Sequence, residues 1–268
     1  MCGRYQLTLP PEMMRTLFAL AGGIEPFPPR YNIAPTQPVH VVRAAPAGGR
    51  ELTLMRWGLI PSWVKDPREF ALLINARSET AAEKPAFRNA LRRRRVLLPA
   101  TGFYEWRREE GRKQPYLFEP LAEDEPMALA GIAETWMGPN GEELDTVAIL
   151  TGEARGVTAD YYTRMPLTVP AANFAAWLDR AEDDGAAALT LAARADYRAR
   201  PVSMRLSNAR NEGKALMEPD RADRPEPPTK PSDDAAQAEP RKSGPGKTKE
   251  KAKAKGRRRA EDDAPTLF

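Results

Sequence analysis

The 268-residue chain has little of what most metal and redox sites are built from. It contains one cysteine, Cys2, and one histidine, His40. A lone cysteine excludes an intramolecular disulfide framework and a thiolate zinc cluster. A lone histidine excludes any site that needs two, such as an H-E-x-x-H pair. No metal and no cofactor are therefore expected. No apolar run reaches about eighteen residues, so no membrane partner is expected either. The start, Met1-Cys2-Gly3-Arg4, lacks the basic n-region and apolar h-region of a secretory leader. With the single thiol, this leads to the expectation of a soluble, reducing, cytoplasmic setting.

Charge is unevenly placed. The net charge is +4, from 41 Lys/Arg and 37 Asp/Glu. Residues 221–268 hold thirteen of the basic and nine of the acidic residues, so the remaining 28 of each sign cancel in residues 1–220. The body also has few lysines, only Lys65, Lys84, Lys113 and Lys214, which leaves 24 arginines there. Arginine suits two-pronged phosphate or carboxylate binding, although genomic composition accounts for such a bias equally well.

These shifts divide the chain into a folded domain over 1–220 and a tail over 221–268. Pro225, Pro227, Pro228, Pro231, Pro240 and Pro245 punctuate the tail, and apolar residues larger than Ala are missing until Leu267-Phe268. Such a segment cannot offset its ordering entropy and is expected to be disordered. Its basic run Lys247–Arg259 reads either as a non-specific nucleic-acid arm or as a solubilising stretch. The terminal Leu267-Phe268 fits a pocket on a sliding clamp, without the glutamine such a motif normally carries.

Within the body, spacing predicts a helix over Pro11–Ala21, with Met13, Met14, Leu17 and Phe18 on one face and Gly22-Gly23 as the stop. Val39–Arg43 and Glu51–Trp57 read as a hairpin. Further strands are expected at Arg95–Leu98, Gly102–Arg107, Pro115–Glu119, Met127–Thr135 and Asp145–Thr151, with Pro139-Asn140-Gly141 as the turn between the last two. Helices are expected around Thr80–Arg92, Pro170–Arg180 and part of Ala186–Ala199. Strands outnumber helices and follow one another through short turns. The fold class is therefore α+β, with a curved, largely antiparallel, barrel-like sheet and flanking helices.

Cys2 carries the most chemistry. If Met1 is removed, the chain begins with an amine and a thiol on adjacent carbons. An aldehyde meeting that pair forms a Schiff base, and the thiol then closes a five-membered thiazolidine ring. At an α-amino pKa of about 7.8, roughly a quarter to a third of the amine is free base near neutrality, against about 0.1% for a lysine. Otherwise Cys2 is simply a small apolar residue at an ordered terminus.

Several runs accompany Met1-Cys2-Gly3-Arg4. They are Arg30–Gln37, Arg56–Trp63, Asn75–Thr80, Gly102–Trp106, Ala148–Thr151, Arg164-Met165-Pro166, Pro201-Val202-Ser203 and Asn208–Gly213. The series resembles the SRAP family, the SOS-response-associated peptidases understood as abasic-site processing proteins, across essentially all of 2–219. The resemblance implies capture of the ring-opened aldehyde of an abasic site in single-stranded DNA by the N-terminal cysteine. It also implies autocatalytic removal of Met1, a nucleoid association when bound to DNA, and a monomer.

Glu105 lies in a strand between Tyr104 and Trp106, where a carboxyl among aromatics acquires a raised pKa. Both this chemistry and the resemblance assign it as general acid/base; otherwise it is a surface glutamate on a strand. The resemblance makes Asn75 an active-site amide and adds the Thr151 hydroxyl to the same pocket. It places Arg4, Arg77 and Arg164 on the phosphates, and Pro35 and Trp63 against the bases beside the lesion. Tyr162 is a departure, because the family usually has a histidine there. A phenol with a pKa of about 10 is a poor proton shuttle at neutral pH, so slower formation and reversal of the adduct are expected. Val64 stands where the family often has a second aromatic, which is expected to weaken the wedge. His40 reads as an ordinary strand residue, and Arg92–Arg95 as a solvated helix end in preference to a basic contact.

Two other readings remain at this stage. Class II glutamine amidotransferases also begin Met-Cys-Gly, and Asn140-Gly141-Glu142 resembles their Asn-Gly element. A non-covalent single-stranded DNA binder would use the same arginines and aromatics.

Overall fold

The computed structural model describes residues 2–109, 111–121, 127–179, 181, 184–193 and 195–219. The tail, the basic run Lys247–Arg259 and Leu267-Phe268 lie outside the described residues.

Five strands, three of which carry continuous buried runs, build the first sheet. They are β3 (Pro38–Ala44), β4 (Arg50–Trp57), β6 (Arg95–Ala100), β9 (Met127–Met137) and β10 (Glu143–Glu153). β3 pairs with β4 as a hairpin and meets β6 at Val42↔Leu97. β6 pairs with β9, and β9 with β10, all antiparallel. β10 then pairs in parallel with β4, at Thr146↔Arg56 and Val147↔Trp57. This last pairing closes a five-stranded barrel, which leaves no open edge around the ring.

Beyond the closure, β10 runs on and gains new neighbours. β5 (Asn75–Arg77) joins it in parallel, and β11 (Arg164–Pro166) joins it antiparallel. Both meet at one residue, since Thr151 is registered with Arg77 on one side and with Pro166 on the other.

A second sheet has the order β12-β8-β7-β1-β2 and is antiparallel throughout. Its strands are β1 (Tyr5–Leu7), β2 (Arg30–Ile33), β7 (Gly102–Glu109), β8 (Arg112–Pro120) and β12 (Tyr197–Pro201). Period-two alternation sorts β7 between two cores. Phe103 points into the main core, while Tyr104 joins Leu117, Val202, Leu206 and Leu216, with Trp106 packed against them. Gly102 is required where β7 begins: a Cβ there would lie 2.7 Å from Leu117 Cδ1 and 2.8 Å from the Phe118 carbonyl oxygen.

The expected α+β class and barrel-like sheet are what the chain forms, with two parallel pairings on β10 as additions. The turn at 139–141 joins β9 to β10 as expected, with Gly141 at φ 86°. The helices are shorter than their periodicity predicted. α1 (Pro11–Phe18) stops because Ala19 turns left-handed, at φ 48° and ψ 54°. The run Thr80–Arg92 is broken around Pro85 into α2 (Ser78–Ala81) and α3 (Arg88–Arg93), since proline lacks an N–H and crowds the preceding turn. The run from Pro170 becomes a 3-10 turn, Ala171–Asn173, followed by α4 (Phe174–Leu178). Part of the last predicted span does form a helix, α5 (Gly185–Leu189), and Tyr197–Pro201 pairs with β8 as a strand. Among the described residues, no helix is long and apolar enough to cross a membrane.

Candidate active site

Cys2 is held from two sides. On one side, β1 runs antiparallel to β7 with Tyr5 opposite Phe103 and Gln6 opposite Gly102. The Tyr104 N–H donates to the Arg4 carbonyl at 3.0 Å, which carries this register one residue further toward the terminus. Glu105 is the next residue along β7, and its charge acts on Cys2. On the other side, Asn75 Nδ2 donates to the Cys2 carbonyl at 2.9 Å. The Asn75 Oδ1 atom is buried and accepts no hydrogen bond among the described residues.

Burial sets the electrostatics. Cys2 is fully buried, and desolvation followed by the Glu105 charge pushes its thiol well above the usual range. Glu105 is only 5% exposed, and burial pushes its carboxyl up to about 7. Directly across the strand pair stands Tyr116, so the carboxyl does have an aromatic neighbour. A neutral thiol beside a carboxyl poised near 7 suits proton exchange at the terminus better than thiolate attack.

The edge of this site is built by one loop. Trp57 at the end of β4 packs edge-on against Tyr5, with centroids 5.3 Å apart, and its Nε1 donates to the Ile74 carbonyl at 2.9 Å. Residues 58–73 therefore leave and return beside Cys2. Gly58, at φ 133°, is needed at the exit, where a Cβ would lie 2.4 Å from Leu72 Cδ1. Trp63 at the loop's outer part is 59% exposed and stands perpendicular to Phe70 at 5.4 Å.

The sequence matches the family described as SOS response associated peptidase (SRAP) over residues 1–209. The chain belongs to the SRAP family. The abasic site processing protein YoqW of Bacillus subtilis is 36% identical over 156 residues, covering 58% of this chain and 69% of that protein. The mouse abasic site processing protein HMCES is 31% identical over 268 residues, covering 82% of this chain and 76% of the relative. A crystal structure of a Bordetella bronchiseptica protein aligns with a TM-score of 0.65 at 26% identity, covering 76% of this chain and 100% of the other. One from Bacteroides thetaiotaomicron, at 22% identity, shares the fold with a TM-score of 0.70, covering 81% of this chain and 99% of that one.

In this SRAP chain, Cys2, Asn75 and Glu105 converge as described. Thr151 is fully buried one strand away, and its carbonyl accepts from Arg164 Nη2 at 2.6 Å. Arg77 is exposed. Arg4 is partly buried and already committed: its Nη1 donates to Asn32 Oδ1 at 2.6 Å and to the Leu206 carbonyl at 2.9 Å, and its guanidinium lies 5.7 Å from the Trp106 ring centre. Pro35 sits in a tight loop whose next residue, Thr36, adopts φ 71°. That rare conformation is held by the Thr36 N–H to the Trp57 carbonyl at 2.8 Å and the Trp57 N–H to the Gln37 carbonyl at 3.0 Å. Tyr162 is 39% exposed on the connection that leads into β11. Val64 is buried with Ile60 and Trp136 rather than displayed beside Trp63.

Three residues of the site region escaped the motif reading. Asn32 is almost fully buried, and its Nδ2 lies 3.2, 3.0 and 2.8 Å from the carbonyls of Leu206, Asn208 and Asn211, tying the last described segment to β2. Glu79 grips Arg164, and Tyr116 faces Glu105. The first two lie inside runs that carry the family resemblance, but a single sequence cannot show which long-range partner such residues choose. His40 is a half-buried strand residue packed on Phe27, with centroids 3.9 Å apart. Arg95 departs from the solvated helix end. It is 5% exposed and donates to the carbonyls of Trp177, Leu91 and Arg92 at 2.7, 2.9 and 2.6 Å.

Proposed function

We propose that this SRAP chain processes abasic sites by covalent capture, using Cys2 as its N-terminal residue after hydrolysis of the Met1–Cys2 peptide bond. The observation that carries the reading is the convergence of groups from two separate strands on one terminus: a buried Cys2, the Asn75 amide of β5 on its carbonyl, and the Glu105 carboxyl of β7, raised to about 7. The naming of relatives such as YoqW and HMCES as abasic site processing proteins supports the same substrate.

The chemistry runs as a condensation. The freed amine adds to the C1 aldehyde of the ring-opened deoxyribose, and the carbinolamine loses water to give an imine. The thiol then adds to the imine carbon, and its proton ends on nitrogen. One C–N and one C–S bond form, and one water leaves. Glu105 protonates the departing hydroxyl and removes the proton of the attacking group, a task for which a pKa near the working pH is best. The burial that raises the thiol pKa places the amine first in the sequence of attack.

DNA is held as a single strand. Arg77 and Arg164 meet phosphates, which position the strand without reading its sequence. Arg4 adds positive charge while anchoring the segment around Leu206. Trp63 and Pro35 take the bases flanking the gap, and stacking on an aromatic face tolerates any base. Tyr162 occupies the place of a proton shuttle and slows both formation and reversal. The amidotransferase reading gives no role to Glu105 beside the terminus, and the binding-only reading gives none to a buried thiol there.

The test is to mix the protein with a single-stranded oligonucleotide carrying one abasic site and to analyse it under denaturing conditions. An adduct that disappears in Cys2→Ala supports covalent capture. Glutaminase activity independent of DNA would favour the amidotransferase reading.

A further inference from the structure

Arg164 is not free in its loop. Its Nη1 donates to Glu79 Oε1 and its Nη2 to Glu79 Oε2, each at 2.8 Å, a two-pronged fork. Nη2 also donates to the Thr151 carbonyl at 2.6 Å, and Thr151 Oγ1 lies 3.3 Å away. The fork crosses the end of β10. Glu79 is the second residue of α2, which directly follows β5, Arg164 opens β11, and Thr151 of β10 lies between those two strands in register with both. One guanidinium thus ties together the three strands that deliver Asn75, Thr151 and Arg164 itself. Nη1 keeps one hydrogen uncommitted among the described residues. The Arg164 side chain is 17% exposed and that of Glu79 is 45% exposed, so the pair reaches the surface.

We infer that Glu79 is a positioning residue for DNA phosphate: it holds the Arg164 guanidinium in the orientation that presents its remaining Nη1–H to a backbone phosphate flanking the captured nucleotide. The inference rests on the reading of Arg164 as a phosphate contact. It makes a prediction opposite in sign to simple electrostatics. Removing a negative charge beside bound DNA strengthens binding if only charge matters. Removing the group that orients the phosphate ligand weakens it.

The test compares non-covalent binding of an undamaged single-stranded oligonucleotide by fluorescence anisotropy, over a range of salt, for the full chain and for Glu79→Gln, Arg164→Lys, Arg164→Ala and Glu79→Gln/Arg164→Ala. Glu79→Gln should weaken binding by about fivefold, the upper end for a partly exposed ion pair. Arg164→Lys, which keeps the charge and loses the fork, should weaken it similarly. The double variant should bind no more weakly than Arg164→Ala alone. With abasic DNA, Glu79→Gln should raise the DNA concentration for half-maximal adduct rate while leaving the saturated rate unchanged, a split that general loss of fold would not produce. Equal or tighter binding by Glu79→Gln, with Arg164→Ala weakened, overturns the positioning role and leaves the phosphate contact standing. Unchanged binding by Arg164→Ala overturns both.

Discussion

The Asn75 amide donates to the Cys2 carbonyl at 2.9 Å across 73 residues of chain. It fixes a residue ahead of β1 that none of the described strand pairings holds. Asn75 is itself fixed by β10, in register with Ile149. The barrel thereby holds a chain end in the way it would hold an interior residue.

Asn75→Ala should therefore damage the reaction more than the fold. Loss of one hydrogen bond costs on the order of 1 kcal/mol of stability. An unanchored terminus loses its alignment with Glu105, so the adduct rate should fall by at least about tenfold, since small misplacements at a reacting centre are costly. Thermal melting and single-turnover adduct formation, measured on the same sample, separate the two effects.

Glu105→Gln should trade activity for stability in a pH-dependent way. The folded pKa of about 7 lies above the ordinary 4.5, so protonated Glu105 favours the folded state. That contribution is complete below the unfolded pKa and is lost as pH rises through about 7. A rise of that size corresponds to about 3 kcal/mol. Glu105→Gln should match the parent near pH 4 and exceed its stability by up to that amount at pH 8. The adduct rate should drop by roughly 10²–10⁴-fold, the usual worth of a general acid/base. Denaturant melts at the two pH values check the first point, and a parent whose rate shows no limb near pH 7 would contradict the second.

Tyr162→His should accelerate both formation and reversal of the adduct. Tyr162 is exposed, and an imidazole in its place exchanges protons between pH 5 and 8. Equal rates for the two proteins, followed by gel for formation and by release of DNA for reversal, would remove Tyr162 from the mechanism.

Trp63→Ala should leave the melting temperature nearly unchanged, because the ring is 59% exposed. It should weaken single-stranded DNA binding by about 1–3 kcal/mol, regardless of the sequence beside the lesion. A loss confined to one flanking base would point to hydrogen-bonded readout instead.

The parts of the fold legible in the sequence are those whose pattern is local. The hairpin of β3 and β4 and the turn at Pro139-Asn140-Gly141 follow from alternation and turn chemistry. The three-residue strands Tyr5–Leu7, Asn75–Arg77 and Arg164–Pro166 carry no period long enough to read, because they exist through their partners. Those same short strands position the site. Cys2, Asn75 and Glu105 could thus be named from chemistry and resemblance, while the contacts among them could not. The parallel closure of β4 on β10 and the grip of Glu79 on Arg164 depend on pairings 90 and 85 residues apart, which no local signal specifies. Arg95 shows the same limit: an arginine ending a basic run reads as solvated, yet it is buried and donates to three backbone carbonyls.

The most direct measurement is the intact mass of the product formed with a single-stranded oligonucleotide bearing one abasic site. Capture by the leading aminothiol predicts the protein without Met1, plus the cleaved or whole oligonucleotide, less one water, and no such species from Cys2→Ser. A product that retains Met1, or one that forms equally well without the Cys2 thiol, would contradict it.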